Sequence, residues 1–393
     1  QHECPLSGEE RTSQIKGVTS APMRFDTVLR ARMKSIAERL LHPELRDNIM
    51  RKLHCLMTVV FALAFAEMAF SQGVSINKPV PVTVSNFVRA ETDYYFGQTV
   101  TQDGFGLSHT RQMVPIDKQD VVRMNRDTLY SSGVFDLKAS PLTIILPDAG
   151  KRFMSMQVIS EDHYTVEVVY APGPHVYTED IVGTRYVFAI IRIFADPRNP
   201  DDITVANTLQ DAIKVEQPSV GKFEVPNWDP VSQKKIRDAL SELGTMLGDM
   251  PGAMFGSKSE VNPTSHLIGT AIGWGGNPTK AAVYLGAYPK ANDGKVVHKL
   301  TAKNVPVDGF WSISLYNAKG FFQKNVFDAY SLNNLTAKAN PDGSVTVQFG
   351  GCQKSTANCL PIVPGWNYTV RLYRPRKEII DGSWKFPEAQ PVR

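Results

Sequence analysis

From Val114 to the C-terminus the chain is written in short β-branched and aromatic runs, most of them cut off by Gly, Pro, Asp or Asn. That spacing constrains the fold more than any other feature. Residues 127–135, 142–146, 153–159, 164–170 and 186–194 read as strands, and so do 281–285, 295–301, 309–316, 344–349 and 368–373. Asp342-Gly343 is a tight-turn pair just ahead of one of them. Strands that follow one another without a helix between each pair point to an antiparallel sandwich or barrel rather than βαβ units. In 309–316, Trp311, Ile313 and Leu315 alternate with Ser312, Ser314 and Tyr316, so one face is expected in the core and the other toward water. The basic cluster at 371–377 reads as a solvated strand edge.

Helical signals interrupt this pattern. Thr83 can cap a helix running through Tyr95, with Phe87, Ala90 and Tyr94 on one face and Gly97 as the stop. Asp201 or Asp202 can cap a second helix carrying Ile203, Ala206, Leu209 and Ile213. Asp229-Pro230 is a stronger start, because an acid caps the helix and Pro suits its first position. Ile236, Leu240, Leu243 and Leu247 follow at helical spacing, with Gly248 as the stop. The Gly-rich stretch 251–278 reads as a bridge between domains, with room for a short helix at Pro263.

Met50 to Gln72 has the layout of a secretory signal peptide: Arg51-Lys52, an apolar stretch from Cys55 to Ala66, and the small-x-small site Ala69-Phe70-Ser71. An uncleaved anchor needs about 20 apolar residues, a length reached here only if Glu67 is tolerated. A buried core helix would be amphipathic, and this stretch is apolar nearly all round. Residues 1–49 then read as a non-native upstream segment and 50–71 as the signal peptide, which is the chain's only expected dealing with a membrane. The compartment expected is periplasmic or secreted. Of four cysteines, Cys352 and Cys359 lie beyond that segment. Two close cysteines in an exported chain point to one disulfide, the alternative being two free thiols. The chain carries 43 Lys and Arg against 39 Asp and Glu, with no basic stripe, so no nucleic-acid partner is expected.

Two sets of residues carry a family likeness. Asn125-Arg126-Asp127-Thr128-Leu129-Tyr130 through Asp136, with Leu146-Pro147-Asp148 and Phe153 to Gln157, resembles domain of unknown function 1254. Gly273-Trp274-Gly275, Ala282-Val283-Tyr284, Phe310 to Tyr316, Tyr330-Ser331-Leu332, Asp342-Gly343-Ser344, Arg371 to Pro375 and Asp381 to Trp384 resemble domain of unknown function 1214. The resemblance implies a mainly β protein of two jelly-roll-like antiparallel β-sandwich domains with helical insertions, often exported from bacteria. Here it would follow the signal-peptide helix, with an N-terminal sandwich over 83–200, a helical insertion and linker over 201–278, and a C-terminal sandwich over 279–393. No catalytic residue comes with it, and the Cys352 to Cys359 loop is an elaboration on the family pattern.

The residues themselves offer two clusters. Asn125-Arg126-Asp127 with Tyr130 can present a fixed charge pair, and the planar fork of Arg suits carboxylates or phosphates. The same residues also suit a turn that caps the sheet. Glu161-Asp162-His163-Tyr164 sets a carboxylate beside an imidazole, a pairing capable of acid–base work. Alternation allows only Glu161 with His163, or Asp162 with Tyr164, to share a side. Hairpin-turn acids are the structural alternative. The catalytic candidates are therefore Arg126, Asp127, Tyr130 and His163, and the ligand-binding candidates Asn125, Tyr164 and Trp274. The histidines beyond the signal segment (His109, His163, His175, His266, His298) never pair at zinc spacing, so neither metal nor cofactor is expected. The glycines of 269–276 lack the Lys-Ser/Thr of a phosphate loop. The expected function is an exported envelope protein binding a small ligand or glycan between its domains. The alternative is a metal-independent hydrolase or lyase built on the Arg/Asp/Tyr cluster.

Overall fold

A computed structural model describes residues 78–119, 122–247 and 254–392. The signal-peptide reading of 50–71 and the reading of 1–49 lie outside the described residues. In chain order the first part contains α1 (Phe87–Asp103), β1 (Gly106–Thr110), β2 (Thr128–Asp136), β3 (Leu142–Leu146), β4 (Met154–Ser160), β5 (Thr165–Val169), β6 (Gly173–Tyr177), α2 (Glu179–Val182) and β7 (Tyr186–Phe194). Then come α3 (Pro200–Asp211), β8 (Lys214–Glu216), α4 (Pro230–Gly244) and α5 (Pro263–Gly273). The second part contains β9 (Ala282–Ala287), β10 (His298–Ala302), β11 (Trp311–Tyr316), β12 (Ser331–Asn333), β13 (Val345–Phe349), β14 (Cys359–Leu360), β15 (Asn367–Tyr373), α6 (Lys377–Ile380) and β16 (Gln390–Pro391).

The fold is mainly β, as the spacing of the runs implies, and it resolves the choice between sandwich and barrel. A five-stranded sheet β1-β2-β7-β4-β5 faces a three-stranded sheet β6-β3-β8. Leu129, Phe135, Ile144, Met156, Ala189 and Ile191 fill the space between them. In the second sandwich β14-β13-β10-β16 faces β12-β11-β15-β9 around Ile313, Val347, Phe349, Trp366 and Leu372. Between these named strands pairing is antiparallel except where β14 joins β13 in parallel. Cys352 and Cys359 form a disulfide beside that pair.

Helix boundaries follow local hydrogen bonding. Asn86 Oδ1 accepts the Thr83 N–H at 2.7 Å and locks 83–86 into a turn, so α1 begins at Phe87 rather than at Thr83. Gly97 does not end it; a glycine there fits against the Phe223 ring, and the chain leaves the helix at Gly104, whose φ of 79° suits glycine. The cap of α3 is Asn199, not Asp201 or Asp202. Asp202 is engaged instead with Arg152 at 2.5 Å. Asp229 caps α4 as its sequence implies, but the helix ends at Gly244, one turn before Gly248. Helices α1, α4 and α5 meet over Phe87, Ala90, Leu240 and Ile268.

Two expectations about exposure are overturned. Every residue of β11 is buried, Ser312 and Ser314 completely, so it is not a half-exposed strand. Arg371 is likewise buried, in the interior strand β15, and not at a solvated edge. Both corrections have one cause. The outer face of β12-β11-β15-β9 is covered by the 123–127 segment of the first sandwich. Arg371 donates to the Arg123 carbonyl at 2.8 Å, and Tyr316 donates to the Met124 carbonyl at 2.8 Å. Phe153 and Phe194 pack on Phe310 and Tyr373 at the same seam.

Candidate functional site

The Asn125-Arg126-Asp127 entry to β2 lies on this seam, and successive side chains leave it in different directions. Asp127 is sealed, accepting a hydrogen bond from Ser312 at 2.6 Å and facing the Asn333 amide at 3.4 Å. Burial raises its pKa, while the nearby Arg371 charge and the Ser312 and Asn333 hydrogen bonds lower it. Arg126 turns away, donating to the Val114 carbonyl and lying over the Tyr330 ring with its guanidinium carbon 5.4 Å from the centroid. Burial lowers its pKa. The expected Arg126–Asp127 charge pair does not form, because neighbouring residues at the start of a strand point to opposite sides.

Asn125 and Tyr130 do come together. The Asn125 amide nitrogen stands 3.0 Å from the Tyr130 hydroxyl and 3.1 Å from that of Tyr373. Tyr130 pairs across the sheet with Arg192, which pairs in turn with Ser155. All three side chains therefore lie on the sheet face turned away from the sandwich core. The Arg192 guanidinium carbon lies 5.7 Å from the Tyr130 ring centroid. Its Nη1 donates to Gln157 Oε1 at 3.0 Å and to Asn277 Oδ1 at 3.4 Å. Asn277 donates onward to the Tyr284 hydroxyl at 2.7 Å, and Gln157 to the Gly276 carbonyl at 2.8 Å. Tyr170 joins the group. Burial raises the pKa of its phenol against the charges of Arg374 and Arg192, and neighbouring Tyr284 adds to the rise.

The result is a polar cluster at the seam, built from both sandwiches and from the loop between α5 and β9. Arg192, Gln157, Asn277 and Tyr373 are buried, Tyr130 and Tyr170 are half-buried, and Tyr284 is exposed. Sequence reasoning missed Arg192, Gln157, Tyr170, Asn277, Tyr284 and Tyr373 as site residues. The available signal was a single Arg inside the otherwise apolar run Tyr186 to Phe194.

His163, Tyr164 and Trp274 belong to a different structure. Along β4, Met154 lies opposite Ile193, near the Asp127 end of the sheet, and Ser160 lies opposite Val187. His163 follows Ser160, so roughly 20 Å of strand separates it from Asp127. Five rings form a column there. Tyr95 stacks on Trp274 at 4.6 Å, Trp274 on His163 at 5.5 Å, His163 on His266 at 5.4 Å and His266 on Tyr164 at 4.7 Å. Both faces of Trp274 are thereby occupied, which leaves none for a ligand. The Thr270 hydroxyl donates to the His266 carbonyl, so it must accept from His163 Nδ1, and His163 Nε2 accepts from the Gly275 N–H. Burial, with His266 adding, lowers the His163 pKa to about 3. Both imidazole nitrogens are engaged within the column, and His163 is buried there apart from Arg126, Asp127 and Tyr130, so the structure does not bring the catalytic candidates together.

Beside the column, α1 brings an acid against an acid. Asp93 Oδ2 accepts from the Trp228 indole at 2.7 Å, while Oδ1 is sealed without a donor and faces Glu161. Glu161 stands 3.6 Å from Arg89. Burial raises the Asp93 pKa, and the Glu161 carboxylate beside it adds to the rise. A cleft of about 500 Å³ opens elsewhere, at the edge of the second sandwich, with Tyr288, Lys290, His298 and Glu388 among its walls. Among the described residues no group of three or more His, Cys, Asp or Glu side chains is placed to hold a metal ion, and no helix is long and apolar enough to cross a membrane.

Comparison with known proteins agrees with this architecture. The family model for a protein of unknown function, DUF1254, matches residues 106–181, and that for a protein of unknown function, DUF1214, matches 282–377. No curated protein sequence matches. The VPA0106 protein from Vibrio parahaemolyticus is similar in structure, with a TM-score of 0.62 at 19% identity, over 79% of this chain and 98% of that one. An uncharacterized protein from Burkholderia cenocepacia aligns over 79% of this chain and 87% of that one at 13% identity, with a TM-score of 0.46. The first of these likenesses speaks for the fold alone. The two matched segments fall one in each sandwich, and the chain is a two-domain protein of the DUF1254 and DUF1214 families.

Proposed function

We propose that this is an exported protein of the cell envelope that binds a small ligand or glycan where its two sandwiches meet. One observation carries the reading. Four phenols (Tyr130, Tyr170, Tyr284 and Tyr373) and the amides of Asn125 and Asn277 gather around one guanidinium, Arg192, with Tyr284 open to solvent. Aromatic rings with polar tips beside a fixed set of donors and acceptors are what small polar ligands need for stacking and orientation. Export is supported by the Met50 to Gln72 layout and by the Cys352–Cys359 disulfide, a bond typical of oxidising compartments. The hydrolase or lyase alternative needs Arg126 and Asp127 to converge with Tyr130 or His163 on one open pocket. Asp127 is sealed against Ser312, and Arg126 turns away toward Val114 and Tyr330, so the geometry gives this alternative less support.

The test is a thermal-shift screen of the protein against small metabolites and glycans. A ligand at the seam raises the midpoint by mass action. Tyr284→Ala should abolish most of that rise while leaving the unliganded midpoint within a few degrees, since Tyr284 is exposed. Hits whose shift is indifferent to Tyr284→Ala would place binding elsewhere and overturn the proposal.

A further inference from the structure

We infer that the ligand of the seam carries a carboxylate, seated on the free side edge of Arg192. The inference rests on the ligand-binding reading above and gives it a chemical class. Arg192 is 6% exposed, and a guanidinium buried that deeply needs compensation. Among the described residues none comes from an acid, for no carboxylate oxygen lies within ion-pair distance of it. The other interior arginine of the seam sets the contrast. Arg371 spends Nη1 on Ser314 and Nη2 on the Arg123 carbonyl and the Tyr316 hydroxyl, each at 2.8 Å. Arg192 uses Nη1 alone, on Gln157 and Asn277. Its Nε and Nη2 have no partner among the described residues, and neither is a sealed orphan.

The geometry of what is left selects the chemistry. Nε–H and one Nη2–H lie side by side in the guanidinium plane and donate in parallel, the arrangement that matches the two oxygens of a carboxylate. Gln157 and Asn277 hold the guanidinium from its Nη1 side, and each is anchored in turn, by Gly276 and Tyr284. The edge is therefore fixed before a ligand arrives. The surrounding phenols and amides are neutral donors and acceptors, suited to the rest of a hydroxylated molecule. A second cation, Arg374, lies over Tyr170 with its guanidinium carbon 4.8 Å from the centroid, and adds to the attraction for an anion.

The experiment measures thermal midpoints of the full protein and of Arg192→Lys with sodium glucuronate, sodium succinate, glucose, inorganic phosphate and sodium chloride at matched ionic strength. Lysine keeps the positive charge but loses the planar edge, so the variant isolates the geometry. The expected result is that glucuronate or succinate raises the wild-type midpoint above chloride. Arg192→Lys should weaken that binding about 10- to 100-fold, the usual worth of a pair of charge-assisted hydrogen bonds. Equal protection of both proteins by carboxylates would overturn the inference, since the anion would then sit elsewhere. Phosphate protecting where carboxylates do not would overturn it too. Protection by glucose alone, lost in Tyr284→Ala but kept in Arg192→Lys, would overturn the carboxylate and leave seam binding standing. Protection by none of the probes would overturn the carboxylate, and failure of the wider screen as well would remove the seam.

Discussion

Asp127 shows how much a single side chain can differ from its reading in sequence. Next to Arg126 it suggests a charge pair in an open site, yet it reaches across the seam to Ser312 and Asn333 and is cut off from water. Its role is to hold the two sandwiches in register. Asp127→Ala would leave Arg371 buried beside no opposite charge. It would also leave the Ser312 hydroxyl and the Asn333 amide without their acceptor, and should cost about 1–3 kcal/mol of stability, the penalty of buried polar groups left unpaired. Asp127→Asn, which keeps an acceptor for Ser312, should cost less. Chemical denaturation measures both; a loss in Asp127→Ala no larger than that of a typical surface substitution would contradict the assignment. What made Asp127 illegible was its partner set. Ser312 and Asn333 lie 185 and 206 positions away, and no local pattern announces such contacts. Asn125 and Tyr130 were legible as polar partners because they lie only five positions apart, at the entry to β2. Their third companion, Arg192, was not, because its pairing with Tyr130 depends on the order of strands in the sheet.

Among the elements, near-continuous apolar runs were read well: β3 and β7 have the expected bounds. Strands β1, β6 and β8 were missed; each is a sheet edge, β1 along β2 and β6 and β8 on either side of β3. The serines of β11 defeated the period-two reading because a second protein surface, not water, covers them. Helix α1 brings the Asp93 carboxyl against Glu161. Burial raises the Asp93 pKa to about 8, the Trp228 hydrogen bond opposing and Glu161 reinforcing the rise. A carboxyl with an ordinary value of 3.8 binds its proton more tightly in the folded chain than in the unfolded one. Its contribution is complete at acidic pH and is lost as pH rises from about 4 to about 8. Asp93→Asn keeps an acceptor for Trp228 and supplies Glu161 with a permanent donor. The variant should therefore lose less stability than the wild type between pH 5 and pH 8, by about 1–3 kcal/mol. Urea midpoints across that range give the comparison, and parallel curves for the two proteins would rule out the raised Asp93 pKa.

At the scale of the molecule, two sandwiches share a seam that is apolar at Phe153, Phe194, Phe310 and Tyr373 and polar around Arg192 and Asp127. The likeness to the two families covers one sandwich each, and the mainly β class could be read from run spacing. The seam could not, because it is made where strands distant in sequence meet. Its composition is unusual for a purely structural joint. Around Asp127 and Arg371 the polar groups are matched to one another, whereas around Arg192 a planar pair of donors has no partner among the described residues, beside an exposed tyrosine. That asymmetry separates the part of the seam that joins the sandwiches from the part proposed above as the ligand site. Crystals of the protein soaked in sodium glucuronate test this most directly. The account predicts difference density for a carboxylate against Nε and Nη2 of Arg192, with the sugar between Tyr130 and Tyr284. Density confined to the cleft beside Tyr288 and Glu388, with Arg192 bare, would contradict it.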